Sequence, residues 1–238
     1  MNNSLHTHAP GRSQLSITNF AGEPQGTYGV QRIICIGRNY PEHAREMGHD
    51  PALAPPFYFF KPITALAAAQ GVWPLPAFST NVHHELELVI ALQHSGRNLQ
   101  PAAAQHLVAG FSLGLDMTCR DIQQFAKAEG RPWDTAKGFD FSAPCTPIVT
   151  GGLDDLSRLG RMELRVNHRV VQEGHWSEMQ WPLLELLSAV SRYTALGAGD
   201  LIFTGTPAGV GQVVAGDRLL ASMAGFPHVI DLTVEPEA

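Results

Sequence analysis

Along residues 82–92 the apolar side chains Leu86, Leu88 and Ile90 alternate with Glu85, Glu87 and Val89. That is the period of a β-strand. Short apolar runs at 32–37, 111–116, 163–166, 201–204, 218–221 and 229–234 predict further strands, and the aromatic run Phe57-Tyr58-Phe59-Phe60, held between prolines, predicts one that ends abruptly or lies at an edge. Helices are predicted at 101–108, 118–129 and 183–193, and a short one from Pro41, stopped at Gly48. Strands outnumber helices and do not alternate regularly with them, so the pattern reads as a β-rich α+β domain and not a doubly wound sheet. No internal repeat is visible. Residues 1–28 are polar, rich in Gly, Pro and Ser, and without a sustained apolar period. They predict a loose N-terminal arm or a short edge element before a single body over 29–238.

Composition adds exclusions. With 238 residues, 44% hydrophobic and 16% charged, the chain has the balance of a globular domain. A formal charge of -6 and the lack of a basic run give nucleic acid nothing to bind. The three cysteines, Cys35, Cys119 and Cys145, are widely spaced and read as buried reduced thiols. The apolar runs are strand-sized, well short of the roughly 20 residues of a spanning helix. The first residues lack the basic start and apolar stretch of a signal peptide, which predicts a cytoplasmic protein without a membrane partner.

The candidate chemistry begins with Glu85 and Glu87. Two apart on a strand, their carboxylates project from one face and repel each other unless a cation lies between them. Asp116 closes the apolar run 111–116 and supplies a third carboxylate. All-oxygen ligation suits Mg2+, or Mn2+, better than Zn2+. Alternating glutamates also mark the solvent face of a strand, and His83 and His84 just before Glu85 leave a zinc site open.

Several blocks in order resemble the fumarylacetoacetate hydrolase family. They are Ile36-Gly37-Arg38-Asn39-Tyr40 with His43 and Glu46, Phe60-Lys61-Pro62, and His83-His84-Glu85-Leu86-Glu87-Leu88. Leu115-Asp116-Met117-Thr118-Cys119-Arg120-Asp121-Ile122-Gln123, Pro132-Trp133-Asp134-Thr135-Ala136-Lys137 and Gly199-Asp200-Leu201-Ile202-Phe203-Thr204-Gly205-Thr206-Pro207 continue the series. The similarity runs from about Ile33 to Val234 and is strongest to the short acylpyruvate hydrolases, among them fumarylpyruvate hydrolases and the related oxaloacetate decarboxylases. A single block would be weak; the ordered set is specific.

The resemblance implies a mixed β-sandwich roll with a few peripheral helices, a homodimer, and Mg2+ on Glu85, Glu87 and Asp116. It implies catalytic roles for His43, Glu46 and Lys137, and contacts to a 2-oxo acid substrate from Arg38, Arg120, Gln123 and Thr206. The implied reaction is hydrolysis of a carbon-carbon bond in a 3-acylpyruvate, with His43 and Glu46 activating water and the metal stabilising the pyruvate enolate. Oxaloacetate decarboxylation or isomerisation of a 2-hydroxy-dienedioate needs the same enolate stabilisation, and a catalytically silent binding module is the alternative of another class. Under the resemblance His83 and His84 become supporting residues. Residues 41–55, bounded by glycine and prolines, are expected to form a lid that is mobile without ligand.

Overall fold

The structure is a computed structural model that describes residues 13–48, 50 and 55–237. Its largest sheet has ten strands. From one edge the main path runs Pro24–Gly29, Gln14–Thr18, Ile148–Thr150, Val108–Leu115, Leu86–Leu92, Asp200–Phe203, Arg32–Gly37 and Phe57–Lys61. Ala143–Cys145 branches from Val108–Leu115 and carries Leu66–Ala68 alongside. A five-stranded sheet orders Arg169–Gly174, Met162–Val166, Arg218–Met223, Ile230–Pro236 and Gln70–Leu75. A small sheet of Thr118–Cys119, Val82–His84 and Gly211–Gln212 stands between them in the chain path. None of the described helices is long and apolar enough to cross a membrane.

Every residue of Leu86–Leu92 is buried. The alternation that predicted a strand does not separate core from solvent; it separates two cores. Leu86, Leu88, Ile90 and Leu92 join Phe111, Leu113, Ile202 and the second sheet's Leu164, Leu219 and Leu232 in the larger cluster. Val89 and Ala91 face a smaller cluster with Ile33, Cys35, Leu201 and Phe203. Full burial of each Leu or Ile contributes roughly 1.5–3 kcal/mol, so losing either face would unfold the sheet's centre. Helix Leu183–Tyr193, which matches its predicted bounds, covers the larger core with Leu186, Leu187 and Val190.

Several expectations change. Of the loose arm or short edge element predicted over 1–28, the structure shows the edge element: from Gln14 the chain forms a hairpin of Gln14–Thr18 with Pro24–Gly29, joined in parallel to Ile148–Thr150. It is anchored by Tyr28, whose hydroxyl lies 2.6 Å from Leu92 O and 2.9 Å from Asp200 O and accepts from the Leu92 N–H at 3.0 Å. Residues 1–12 lie outside the described residues. The single strand predicted over 82–92 is interrupted at Glu85, where the chain passes from the small sheet to the large one. The helix predicted at 101–108 stops at Ala104, followed by a 3₁₀ turn Gln105–Leu107, because Val108 is needed in the central strand. The helix predicted at 118–129 starts only at Arg120. Gln70–Leu75 was not predicted: Gly71 at φ +101° and Pro74 obscure a strand that survives at the edge beside Ile230–Pro236.

Candidate active site

Register brings the carboxylates together. Glu87 pairs with Gly114 and Leu86 with Leu115, so Asp116 follows the partner strand at the height of Glu85, and the Asp116 N–H donates to Glu85 O at 2.8 Å. Side chains at 87 and 116 point to the side of the smaller core, and Glu85, although between strands, reaches the same place. One oxygen from each of Glu85, Glu87 and Asp116 lies within 4.8 Å of the others, and all three residues are buried.

Three cations meet the three carboxylates unevenly. Arg120 Nη2 donates to Glu85 Oε1 at 2.5 Å, and Lys137 Nζ bridges Glu85 Oε2 and Asp116 Oδ2, each at 2.8 Å. Lys61 Nζ lies 2.8 Å from Asp116 Oδ1, in ion-pair contact but outside hydrogen-bond geometry, so that oxygen has no hydrogen-bond donor among the described residues. Among the described residues Glu87 receives only the Gly205 N–H, at 2.8 Å on Oε2. Burial and the charges of Asp116 and Glu85 therefore push its carboxyl well above the usual range. Burial acts the same way on Glu85, but Lys137, Arg120 and His43 outweigh it and hold that group below the usual range. For Lys137, burial is outweighed by Asp116 and Glu85, which raise it. The residues fit a hard divalent cation: an all-oxygen donor set, an Asp116 oxygen without a donor, and a lysine ammonium already seated between two of the carboxylates.

Over this cluster sits the helix Pro41–Glu46. His43 is 7% exposed and lines the cleft, with Nδ1 3.2 Å from Glu46 Oε2. Glu46 in turn accepts the Gly209 N–H at 3.2 Å. The helix is tied at its start by Asn39, which donates to Thr204 O at 2.8 Å and accepts from the Trp181 N–H at 2.9 Å. Just before it, Gly37 lies against the aromatic wall: a Cβ there would stand 2.1 Å from Phe57 Cζ, so the ring would have to shift. Residues 49 and 51–54 of the segment expected to be a lid lie outside the described residues.

Apart from Glu46, which touches the cleft through His43, all the residues given a catalytic, substrate or metal role under the family resemblance line it: Arg38, His43, Glu85, Glu87, Asp116, Arg120, Gln123, Lys137 and Thr206. Arg120 Nη1 donates to Gln123 Oε1 at 2.8 Å, whereas its buried Nε has no partner among the described residues. Thr206 Oγ1 accepts from Gln172 Nε2 at 2.8 Å. His83 and His84 do not join the carboxylates. Burial holds His83 down to about 4 and lowers His84, whose Nδ1 lies 2.8 Å from Gln172 Oε1.

Sequence reasoning gave no role to Lys61, Gln172, Lys127 or the aromatic wall Phe57, Phe59 and Trp133. Lys61 had a signal, a lysine closing an aromatic run inside the matched block Phe60-Lys61-Pro62. Gln172 had none, because its strand Arg169–Gly174 was not predicted. Its amide joins the two sheets at the site, accepting from Leu86 N–H at 3.0 Å and donating to Pro207 O at 3.0 Å.

Comparison with known proteins places this geometry. The family described as fumarylacetoacetate (FAA) hydrolase C-terminal matches residues 32–233. The chain belongs to the fumarylacetoacetate hydrolase family. Among its members, the mitochondrial oxaloacetate tautomerase of Homo sapiens is 39% identical over 208 residues, covering 87% of this chain and 93% of that one. The mitochondrial oxaloacetate decarboxylase of Dictyostelium discoideum is 37% identical over 200 residues, covering 82% of this chain and 90% of that one. The crystal structure of fumarylpyruvate hydrolase from Pseudomonas aeruginosa in complex with Mn2+ and pyruvate superposes with a TM-score of 0.88 at 38% identity, covering 98% of this chain and all 100% of that one. Membership accounts for the β-rich fold with curled sheets and for an enzyme, and the buried acidic cluster, beside a structural neighbour solved with Mn2+, fits a divalent metal.

Proposed function

We propose that the protein hydrolyses a carbon-carbon bond in a 3-acylpyruvate of the fumarylpyruvate type, with Mg2+ (or Mn2+) as cofactor. The observation that carries the reading is the His43–Glu46 pair held directly over the buried Glu85, Glu87 and Asp116 cluster. A divalent cation on those carboxylates supplies Lewis-acid stabilisation for the enolate that cleavage leaves on the pyruvate side. His43 takes a proton from the attacking water; Glu46, at hydrogen-bond distance from Nδ1, sets the ring orientation and stabilises its protonated form. The unpartnered Arg120 Nε, the Gln123 amide and the Thr206 hydroxyl bind the substrate's carboxylate end, Arg38 acts from the rim, and Lys137 stabilises developing negative charge beside Glu85 and Asp116. Water adds to the acyl carbonyl, the bond to the methylene carbon breaks, the proton taken by His43 is returned to that carbon, and the products are a carboxylic acid and pyruvate.

A second reading, oxaloacetate tautomerisation or decarboxylation, is favoured by the names of the human and Dictyostelium relatives. Both readings draw on the same enolate stabilisation and differ in whether water is activated. The test is a Mg2+-supplemented assay of fumarylpyruvate, acetylpyruvate and oxaloacetate side by side. Turnover of oxaloacetate with neither acylpyruvate hydrolysed overturns the hydrolase reading. A homodimer in the cytoplasm completes the proposal, and light scattering on the purified chain tests the oligomeric part.

A further inference from the structure

The cleft holds more positive charge than its carboxylates require. Lys61, Lys137 and Arg120 already match Glu85, Glu87 and Asp116 in number. Arg38 and Lys127 line the same cleft. No carboxylate among the described residues pairs with either of them. Each instead rests on an aromatic ring: the Arg38 guanidinium carbon is 5.5 Å from the Phe57 centroid, and Lys127 Nζ is 5.0 Å from that of Trp133. The two rings meet edge to face, with centroids 5.7 Å apart. The cations thus sit on one continuous aromatic wall.

This arrangement is built and not incidental. Arg38 holds a left-handed backbone, φ 58°, which is uncommon for a residue other than glycine and directs the chain from the strand Arg32–Gly37 into the helix that carries His43. Lys127 is in the last turn of Arg120–Ala128, the helix whose first residue contacts Glu85. Lys127 is exposed and Arg38 half-buried, whereas Glu85, Glu87 and Asp116 are buried, so the cationic pair marks the mouth and the carboxylates the floor. Burial disfavours the charge on both, and Lys127 is further opposed by Arg120, Arg38 and Lys137. An anion at the mouth relieves that repulsion, while a bound divalent cation on the floor adds to it.

We infer that Arg38 and Lys127 form a second anion subsite that selects substrates whose acyl group ends in a carboxylate. The inference rests on the proposed function in one respect: the pyruvoyl end lies at the carboxylate floor, so the far end of the acyl chain reaches the mouth. Phe57 and Trp133 provide a flat apolar wall for the carbons between the two ends, and the cations beyond them close on the terminal carboxylate. An acylpyruvate with an uncharged tail gains the wall and not the charge.

The test compares wild type with Lys127→Gln, a change at an exposed helix position that removes charge without altering the floor. Initial rates on fumarylpyruvate and on its distal methyl ester give KM and kcat for each in Mg2+. Calorimetry measures binding of the same two ligands to Mg2+-loaded protein under conditions in which turnover is slow, and needs no activity. In wild type the free acid binds more tightly than the ester. In Lys127→Gln the ratio of acid to ester affinity falls about tenfold, with the effect in KM and not in kcat; Arg38→Gln shifts the same ratio the same way. An ester that binds wild type as tightly as the acid, or a variant that weakens both ligands equally, overturns the subsite. If neither ligand is hydrolysed but the calorimetric preference and its loss are seen, the hydrolase reading fails while the subsite stands.

Discussion

Replacing Lys61 by Met removes one charge from the interior and keeps most of the side chain's volume, which makes it a sharp test of how the acidic cluster is held. The Lys61 side chain is fully buried at 0% exposure, 2.8 Å from Asp116 Oδ1. Its ammonium also donates to Met117 O at 3.1 Å, to Ser142 Oγ at 2.9 Å and to Lys137 O. At 2.8 Å and an effective dielectric of about 20 the gross attraction is about 6 kcal/mol, most of which offsets desolvation. Removing one partner from a buried pair costs about 3–5 kcal/mol, because the other charge is left without compensation. Lys137 also contacts Asp116, which favours the lower end of that range. For a chain of this length the loss lowers Tm by about 6–20 °C. Urea denaturation in chelator measures it, and added Mg2+ should recover part of it by returning positive charge to Asp116. In the double variant with Asp116→Asn the loss should be less than the sum of the single losses. A loss below about 1 kcal/mol, or strict additivity, refutes the view that Lys61 is the standing counter-charge of Asp116.

His43→Ala should lower kcat by about a hundred- to ten-thousand-fold while calorimetric Mg2+ affinity is retained; equal loss of both would make His43 structural. Because burial, Asp116 and Glu85 push the Glu87 carboxyl well above the usual range, and a ligating carboxylate must be ionised, metal affinity should rise with pH with up to one proton released per cation. Calorimetry in buffers of different ionisation enthalpy reads that proton, and an affinity independent of pH counts against the assignment. Gly37→Ala places a methyl 2.1 Å from the Phe57 ring, so it should cost about 1–3 kcal/mol in denaturant and displace Phe57. A neutral substitution would show that the wall yields freely.

The short-range features of this protein are written in its sequence. Period-two alternation around Glu87, the proline that opens the helix of His43, and the ordered blocks from Ile36 to Pro207 pointed to a β-rich fold and to nearly every residue that lines the cleft, because each depends on neighbours a few positions away. Alternation could not say what lay on either face of Leu86–Leu92. Only closure of the sheet, by Tyr28 and its hairpin on one side and the second sheet on the other, made both faces interior. The contacts of Lys61 with Asp116, of Gln172 with His84 and Thr206, and of Lys127 with Trp133 also had to wait for the fold. Three of these four join residues well apart in sequence, and the fourth spans the turn that follows a helix, so no local period encodes them. The sequence alone determined that Glu85 and Glu87 stand two apart beside an apolar strand; the break at Glu85 and the pairing of Glu87 with Gly114 decided how they and Asp116 meet, since interstrand register is settled by packing across the whole sheet.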